Sequence, residues 1–412
     1  MRAKKQLEDK RVIEIKKDVS WIGILDYDIV TFDIVMETEY GTTYNSYFIN
    51  AEKKAIIETA KEKFASAYIN KIEQIADPSG IEYIIFNHTE PDHSGSMKHI
   101  LELAPEATVV GSGNAIRYLG DIFDFPFKSM VVKDGDALDL GNKTLRFISA
   151  PNLHWPDTMY TYLEEDKLLF TCDSFGSHYC DDRLFDDLVG DFDDAFKYYF
   201  DVILKPYSRF MLKAIDKIRP LEIEAICTGH GPVLRKNWKK YVDLSEKYAR
   251  EYIDATMGER KMRALITFVS AYGYTKEMAE AIAIGIRSQG NIEARILDIE
   301  HIELGDLESE IVRSDAILVG SPTINQNTLL QVYKLFSVIN PLRDKGKLAA
   351  SFGSYGWSGE APGIIAANLK NLKLKVMDEN AAFKFRPGEE SRTELVAYGN
   401  RFARELISLN SA

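Results

Sequence analysis

The second half of the sequence alternates short apolar segments with longer amphipathic ones, and this alternation restricts the possible folds more than any other feature. Predicted strands cover 263–270, 293–299, 315–321, 347–353 and 372–378. Helical patterns lie between them, for example at 276–290, and a final helix is predicted over 391–409. Strands that alternate with helices at this spacing form parallel sheets with helices on both faces. We therefore predict a doubly wound α/β fold for this half.

Three loops that follow predicted strands of this half carry Gly, Ser, Thr or Asn. The first contains Ser270, Ala271, Tyr272, Gly273, Tyr274 and Thr275, the second Pro322, Thr323, Ile324 and Asn325, and the third Ser354, Tyr355, Gly356, Trp357, Ser358 and Gly359. In open parallel sheets, ligands bind at the carboxyl ends of the strands. The first loop leads into a helix, whose N-terminus can bind a phosphate, although such residues can also be simple helix caps. The small residues of the other loops permit close approach to a planar ring.

The aromatic residues of the third loop, Tyr355 and Trp357, could flank such a ring. Trp357 could instead be a core residue, but its Gly- and Ser-rich loop argues against core packing. With these loops in this order, residues 261–410 resemble a flavodoxin domain, and the resemblance implies that the three loops bind FMN. The first loop departs from the usual pattern, because Ala271 and Tyr272 occupy positions that normally carry small hydroxyl residues or Gly.

The first half of the sequence contains short apolar runs bounded by Gly, Asp or Pro, which is typical of strands. They cover 81–87, 107–112, 128–133, 144–150, 167–173 and 223–229, with helical patterns at 96–104, 113–122 and 192–218. The polar segment 236–258 is predicted to be a helix that leaves this domain. A chain of 412 residues is long enough for two hydrophobic cores. We therefore predict two domains, 1–258 and 259–412.

The segment NHTEPDHSGS, residues 87–96, places two imidazoles and two carboxylates within six positions: His88, Glu90, Asp92 and His93. Alternate residues of an extended chain face the same side, so His88, Glu90 and Asp92 are predicted to face one side together. One metal ion cannot readily take all four side chains from so short a segment, whereas two neighbouring ions can share them. A polar surface loop is the simpler alternative, but the whole chain has only 7 His.

Further candidate ligands lie at or just after the ends of other predicted strands: His154, Asp173 and His230. Each alone could be an ordinary loop or turn residue. Together with the first motif, however, they place an imidazole or a carboxylate at the ends of four predicted strands. The remaining histidines, which lack this placement, are His99, His178 and His301. The first and last of these are predicted at the surface, and His178 is expected to line the pocket without being a ligand.

The order of these residues, His-x-acid-x-Asp-His followed by His, Asp and His, resembles the metallo-β-lactamase family, whose fold is an αββα sandwich. Most members are zinc hydrolases with a His where this chain has Glu90. Carboxylate ligands suit iron or manganese better than a His-rich set, which suits zinc. Added negative charge also stabilises the higher oxidation state of a redox metal. Such a domain followed by a flavodoxin domain resembles the flavodiiron protein family over essentially the whole chain.

The ligand set implied by this resemblance divides between two iron ions and one bridge. One iron is bound by His88, Glu90 and His154, the other by Asp92, His93 and His230, and Asp173 bridges them. The sequence departs from the family pattern at Glu58, where such domains usually carry Asp. We expect Glu58 to support the ligands rather than to bind metal.

The resemblance implies an oxidoreductase in which FMN passes electrons to the di-iron centre. Members of the family reduce dioxygen to water, nitric oxide to nitrous oxide, or both; we expect dioxygen reduction here, with nitric oxide reduction as the alternative. A rubredoxin domain would need C-x-x-C pairs, and the 3 Cys of the chain form none. The electron donor is therefore expected to be external, either a rubredoxin or a reduced deazaflavin. Because family members pair head to tail, we expect a homodimer or a dimer of dimers.

Composition restricts the partners and the location. The net charge of −12 argues against a nucleic-acid surface, because phosphate binding requires clustered Lys and Arg. No apolar run approaches the roughly 20 residues of a membrane-spanning helix, and no signal peptide is evident, so a cytoplasmic protein without membrane contact is expected. Two other functions stay open: a zinc hydrolase that carries a flavodoxin domain, and a redox sensor with a vestigial metal site.

Overall fold

The computed structural model describes residues 10–32, 36–257, 261–341 and 343–410. Internal contacts divide the chain into two compact units, Met1–Ile253 and Asp254–Ala412. Each unit has its own hydrophobic cores. The predicted domain boundary between residues 258 and 259 lies outside the described residues.

The first unit is built on two large sheets. Its strands, numbered in chain order, are β1 Ile13–Lys16, β2 Val19–Trp21, β3 Ile24–Asp26, β4 Thr31–Phe32, β5 Met36–Glu37, β6 Thr42–Tyr44, β7 Tyr47–Ile49, β8 Lys54–Ile57, β9 Ile81–Phe86, β10 Thr108–Gly111, β11 Ser129–Val131, β12 Ala137–Asp139, β13 Thr144–Ser149, β14 Met159–Leu163, β15 Leu168–Cys172 and β16 Ala225–Thr228. Across the described residues, one sheet has the order β1-β2-β7-β8-β9-β10-β11 and the other β12-β13-β14-β15-β16. Parallel pairing joins β8, β9 and β10 in the first sheet and β15 and β16 in the second.

Among the described residues, six helices of the first unit lie between these strands, and a seventh follows β16 and extends past the unit boundary at Ile253. They are α1 Ala65–Glu73, α2 Pro91–Ser94, α3 Met97–Leu103, α4 Gly113–Ile122, α5 Asp193–Tyr199, α6 Ser208–Ile218 and α7 Trp238–Met257. The predicted helical zone 192–218 is helical but not continuous, because a π-helical turn, Phe200–Leu204, and a 3₁₀ turn, Lys205–Tyr207, separate α5 from α6. Pro206 lies in this interruption, where a proline cannot supply the backbone N–H that a continuous helix needs.

Two cores hold the first unit together, and β9 contributes to both. Ile85 faces a core between the two sheets, together with Phe147 of β13 and Phe170 of β15. Its neighbours Ile84 and Phe86 face the opposite side and join residues of the helices in a second core. A strand whose alternate side chains are buried on both faces is covered by a sheet on one side and by helices on the other. The predicted αββα sandwich is therefore confirmed.

The second unit has one parallel sheet. Its strands are β17 Met262–Phe268, β18 Ile292–Asp298, β19 Ala316–Gly320, β20 Leu348–Tyr355, β21 Lys375–Val376 and β22 Ala381–Lys384, and its helices are α8 Tyr274–Arg287, α9 Leu304–Val312, α10 Leu330–Val338, α11 Ala361–Asn371 and α12 Glu389–Asn410. The described strands run β18-β17-β19-β20-β21, and β22 pairs with β20. The prediction of one strand over 372–378 is wrong in extent, because only Lys375 and Val376 are paired, and β22 was not predicted.

Helices cover both faces of this sheet, as predicted. On β17, Ala264 and Ile266 pack against α8 and α12, whereas Leu265 faces the core formed with α9, α10 and α11. The helices α8 and α12 are in close backbone contact, because a Cβ on Gly285 would lie 2.0 Å from the Val396 carbonyl oxygen. Among the helices of the described residues, none is both long and apolar enough to cross a membrane.

Candidate functional site

The predicted metal ligands of the first unit gather where its strands end. His88 and Glu90 follow β9, Asp173 follows β15, His230 follows β16, and His154 lies in the loop between β13 and β14. Because β9 belongs to one sheet and β15 and β16 to the other, both sheets contribute to the site. Parallel pairing of β15 with β16 brings their carboxyl ends side by side.

The structure arranges the seven predicted ligands in two groups. One consists of His88, Glu90, His154 and Asp173, and the other of Asp92, His93 and His230; within each group the ligand atoms lie within 4.8 Å of one another. With metal–ligand bonds of roughly 2.0–2.3 Å, two ligands of the same ion lie up to about 4.6 Å apart, so only small shifts of the side chains are needed. Each group is therefore compact enough to bind one ion.

Asp173 links the two groups through its two carboxylate oxygens. Its Oδ1 lies 3.2 Å from His93 Nε2 and 3.5 Å from His230 Nε2. Its Oδ2 lies 3.5 Å from both His88 Nε2 and His154 Nε2. Each oxygen thus faces the ring nitrogens of a different group, which is the arrangement that a bridging carboxylate needs.

Hydrogen-bond partners at Nδ1 turn the Nε2 atoms of two histidines toward the site. His88 Nδ1 lies 3.3 and 3.2 Å from the two oxygens of Asp157, and His230 Nδ1 lies 2.5 Å from the carbonyl oxygen of Thr43. Asp157 is buried and accepts hydrogen bonds from the N–H and the hydroxyl of Thr89, both at 2.8 Å. Such partners fix the tautomer and the orientation of metal-binding imidazoles. The sequence analysis did not identify Asp157 or Thr43.

Asp92 faces a different direction from the one predicted. The chain does not continue in an extended form from His88 through Asp92, because the short helix α2 begins at Pro91. Proline favours the first position of a helix, since its fixed φ suits the helix and its missing N–H is not needed there. Asp92 therefore joins the second group with its neighbour His93, while His88 and Glu90 stay in the first.

The pKa values of the buried ionisable groups in the site are determined by burial and by neighbouring charges. Burial alone would raise the pKa of Asp173, but the charge and hydrogen bond of His93 hold that pKa well below its usual value. Burial would also lower the pKa of His88, yet the hydrogen bond with Asp157 raises it well above normal. Burial would lower the pKa of His93 as well, but the neighbouring carboxylates raise it to about 9. The carboxylates thus favour positive charge in the site, which bound cations also supply.

Several buried carboxylate oxygens have no hydrogen-bond partner within the described part of the chain. They include both oxygens of Asp92 and Oδ2 of Asp173. His230 Nε2 lies 3.1 Å from Asp92 Oδ2, but without hydrogen-bond geometry. A buried carboxylate is costly unless it is paired, hydrogen-bonded or coordinates a metal. The carboxylates and imidazoles therefore fit metal ions, and the oxygen content of the set suits iron.

One further histidine lines the site without belonging to either described group of ligands. The ring of His178 stacks on Phe32 at a centroid distance of 4.4 Å and meets the edge of Tyr199 at 4.8 Å. Its Nδ1 lies 2.9 Å from the Thr42 hydroxyl. Burial, followed by the charge of His230, holds the pKa of His178 well below its usual value. His178 is therefore a neutral imidazole in a wall of aromatic side chains.

The predicted flavin loops lie at neighbouring strand ends of the second unit. They follow β17, β19 and β20, which pair side by side in parallel. Residues 270–273 form a loop, and Tyr274 and Thr275 begin α8, with Gly273 as the N-cap at φ 82°. This left-handed conformation favours glycine. In the third segment, Ser354 and Tyr355 belong to the end of β20, and only Gly356, Trp357, Ser358 and Gly359 lie beyond it.

Hydrogen bonds and close packing join the three loops. The hydroxyls of Thr275 and Ser354 lie 3.1 Å apart, and the Thr323 N–H donates to the Ser354 carbonyl at 2.9 Å. A Cβ on Gly353 would lie 2.1 Å from the Ser321 carbonyl oxygen, so this position requires glycine. The loops therefore form one continuous surface at the edge of the sheet.

The second loop contains a tight turn after Pro322 and Thr323. Ile324 and Asn327 exchange two backbone hydrogen bonds, both at 3.1 Å. Between them, Asn325 and its neighbour have φ values of 54° and 58°, which is typical of a type I′ turn. The turn holds the predicted residues Ile324 and Asn325 at the edge of the sheet.

Two aromatic side chains of these loops are almost fully exposed. Trp357 is 87% exposed and Tyr272 82% exposed. Trp357 is therefore not a core residue, in agreement with the sequence analysis. Exposed aromatic faces next to a helix N-terminus suit a ligand with a planar ring and a phosphate, because rings stack on aromatic side chains and anions bind at helix N-termini.

Comparisons with known proteins match a different family to each half of the chain. Residues 42–231 match the family model described as ODP family beta lactamase, and residues 266–398 match the flavodoxin model. The flavo-diiron protein FprA2 of Clostridium acetobutylicum is 39% identical over 410 residues, which cover 96% of this chain and 99% of that protein. The predicted resemblance to both families is thus confirmed.

Two solved structures share the architecture over nearly the full chain. The flavodiiron protein from Giardia intestinalis is 30% identical with a TM-score of 0.68, covering 97% of each chain. The rubredoxin oxygen:oxidoreductase from the anaerobe Desulfovibrio gigas is 26% identical with a TM-score of 0.72, covering 98% of this chain and 100% of that one. The chain belongs to the flavodiiron protein family, whose members are oxidoreductases that use FMN and a di-iron centre to reduce dioxygen, nitric oxide or both.

Proposed function

We propose that this chain reduces dioxygen to water at a di-iron centre held by the seven predicted ligands. One iron is assigned to His88, Glu90 and His154 and the other to Asp92, His93 and His230, with Asp173 as the bridge. The position of Asp173 carries the proposal, because its two oxygens face different imidazole pairs at 3.2–3.5 Å. A hydrolase centre would not require the flavin domain that follows.

The protein around the irons determines what reaches them. When bound, the two irons supply redox-active Lewis acids with open coordination positions, and FMN supplies electrons to them. His178 packs against both Phe32 and Tyr199, and all three rings lie next to His230, so aromatic surface closes one side of the site. Such a wall excludes water and favours a small uncharged substrate over an ionic one, since burying a charge there is costly.

The flavin is assigned to the three loops at the ends of β17, β19 and β20. The phosphate would lie at the N-terminus of α8, beside Ser270–Thr275, where free N–H groups and the helix dipole favour an anion. The ring would lie between the second and third loops, with Tyr355 or Trp357 flanking it. Hydrogen bonds between these loops support this assignment, because they hold the loops at one edge.

We assign the electron donor and the assembly by extension from relatives. The Desulfovibrio gigas protein is named a rubredoxin oxygen:oxidoreductase. An external rubredoxin is therefore the proposed donor, with a reduced deazaflavin as the alternative.

We propose a head-to-tail homodimer, or a dimer of dimers, in which the FMN of one subunit serves the irons of the other. Sedimentation analysis of the full chain tests the assembly, and a monomer at micromolar concentration would contradict it.

The choice of gas can be tested with fully reduced protein under anaerobic conditions. Each gas is then supplied separately, and its consumption is followed with an electrode. We expect faster consumption of dioxygen than of nitric oxide. Rapid nitric oxide turnover with slow dioxygen uptake would instead establish the second candidate, a nitric oxide reductase. Reversible FMN reduction without consumption of either gas would indicate a redox sensor.

Metal analysis distinguishes the proposal from a zinc hydrolase. We expect one iron for each of the two ligand groups in the purified protein. Stoichiometric zinc together with esterase or lactamase activity would refute the proposal. As a second test, His93→Ala should abolish gas reduction and leave FMN reduction intact, because His93 contacts Asp173 in the metal site and not the flavin loops.

A further inference from the structure

A fourth segment reaches the edge of the sheet where the flavin loops lie. The strand β22 pairs in parallel with residues 352–355 of β20, so its carboxyl end opens at the same edge as the carboxyl end of β20. Phe385 and Arg386 follow β22 directly. The sequence analysis gave neither residue a role, because it did not predict β22.

Phe385 fixes this segment against the third flavin loop. Its N–H donates to the Tyr355 carbonyl at 2.7 Å. Its ring lies 3.5 Å from the position that a Cβ on Gly356 would occupy, and its side chain is 58% exposed. The φ of Phe385 is 58°, a left-handed conformation that bulky residues rarely adopt. Backbone strain of this kind is concentrated at ligand sites, and Arg386 is the next residue along the chain.

Arg386 lies over the first turn of α8, the helix that starts at the phosphate loop. Its Nη2 and Nε lie 2.9 and 3.1 Å from the two carboxylate oxygens of Glu277. The hydrogen bond and charge of Glu277, and more weakly the side chain of Tyr274, raise the pKa of Arg386 above its usual value. Through this pair, Arg386 lies against the first turn of the helix.

The first turn of α8 is unusual for a phosphate site because it contains a carboxylate. Glu277 is an acidic residue in that turn, and bare negative charge there opposes a phosphate dianion. The loop also has fewer small hydroxyl residues than the resemblance to flavodoxins implies, since Ala271 and Tyr272 occupy two such positions. The Thr275 hydroxyl, moreover, already lies within hydrogen-bond distance of Ser354. A cation near this helix N-terminus therefore has a clear electrostatic role.

We propose that Arg386 is a specificity residue for the phosphate of FMN: by neutralising Glu277, it allows the dianion to bind at the N-terminus of α8. The pair controls the preference for FMN over riboflavin, which has the same ring but no phosphate. This inference rests on the flavin site proposed above. It requires no contact between Arg386 and the flavin ring.

The two partners have opposite predicted effects on FMN affinity. Arg386→Ala leaves the charge of Glu277 uncompensated and should weaken FMN binding about fivefold, as expected for one charge acting across a partly solvated distance. Glu277→Gln leaves Arg386 uncompensated and should strengthen FMN binding by a similar factor. The double variant removes both charges and should bind FMN nearly as the unmodified chain does. Riboflavin affinity should be the same in all four proteins.

Titrations of the full-length apoprotein, followed by quenching of flavin fluorescence, provide the measurement. The differences between variants should shrink at high salt, because ions screen exposed charges. Arg404→Ala, which removes an exposed arginine from the distant part of α12, is the matched control and should leave both affinities unchanged. Thermal unfolding verifies that each variant is folded.

Each other outcome overturns the inference. Equal weakening of FMN and riboflavin binding by Arg386→Ala would make Arg386 a structural residue. Unchanged FMN affinity in both single variants would mean that the pair does not act on the phosphate. Failure of the unmodified apoprotein to bind FMN would overturn both this inference and the flavin site, whereas the first two outcomes leave the flavin site intact.

Discussion

Asp173 Oδ1 lies 3.2 Å from His93 Nε2, while the other oxygen of the same carboxylate faces the imidazoles of the neighbouring group. No other side chain in the two described groups faces both in this way. Loss of this carboxylate should therefore affect both ions, whereas loss of a terminal ligand should affect mainly one.

We expect Asp173→Asn to lower the rate of gas reduction more than about 100-fold, because an amide is a poor bridging ligand and carries no charge. Iron content should fall for both ligand groups, and FMN reduction by the donor should persist. Metal analysis and gas electrodes measure the two effects. Asp121→Asn, an exposed position outside the site, is the control. Full iron content with normal turnover in Asp173→Asn would show that the bridge is wrongly assigned.

Asp157 should determine how firmly His88 binds its iron. Its carboxylate holds His88 Nδ1 and is itself fixed by two hydrogen bonds from Thr89. Although burial opposes it, the hydrogen bond and charge of His88 keep the pKa of Asp157 below normal, so the group is a carboxylate at neutral pH. We expect Asp157→Asn to lower iron affinity about 10–100-fold. Faster iron loss to a chelator is the measurement, and a rate equal to that of Asp121→Asn would contradict the prediction.

The sequence identified the candidate ligands because the signal is local. Each of them lies at or near a strand end, and four occur in one short motif. The supporting residues Asp157 and Thr43 could not be found in this way, since their roles depend on contacts with distant parts of the chain. The prediction of the direction of the Asp92 side chain was wrong for a local reason, because Pro91 starts a helix where an extended chain was assumed.

The fold could be predicted where the hydrophobic periodicity is strong. The prediction failed where pairing with a neighbouring strand determines whether a segment is a strand. All other predicted strands are present with three or more residues, whereas 372–378 contains only the two-residue strand β21. The short strand β22 has the sequence AAFK, which gives little β propensity, and it is a strand because it pairs with the end of β20. The segment after β22, which carries Arg386, was missed for that reason.

Trp357 should contribute to flavin binding and not to folding. Its side chain is 87% exposed, so truncation removes almost no buried surface. We expect Trp357→Ala to weaken FMN binding by roughly 5-fold or more, as stacked aromatic contacts contribute about 1 kcal/mol or more. Trp357→Phe should retain most of the affinity. The free energy of unfolding of the apoprotein should be unchanged in both, and a marked loss of stability in Trp357→Ala would restore the core interpretation.

A buried ion-pair cluster in the second unit predicts a pH-dependent stability. Asp344 is fully buried and lies 2.7 Å from Arg343 Nη2 and 2.9 Å from Lys347 Nζ, and it also accepts a hydrogen bond from the Asn340 N–H at 3.0 Å. Burial would raise the pKa of Asp344, but the two cations hold it below its usual value. A depressed pKa in the folded state means that the carboxylate stabilises the fold above its unfolded pKa. That contribution disappears as the pH falls through the folded value.

Asp344→Asn should therefore destabilise the second unit at neutral pH and much less in acid. The substitution removes the buried counter-charge that Arg343 and Lys347 share, although Arg343 keeps its ion pair with Glu308. This loss costs about 3 kcal/mol of unfolding free energy near pH 7. Near pH 3 the unmodified chain loses much of the same contribution by protonation, so the difference should shrink. Urea unfolding followed by a signal from the second unit measures both values, with the exposed Asp378→Asn as the control. An equal difference at both pH values would mean that charge at Asp344 does not stabilise this unit.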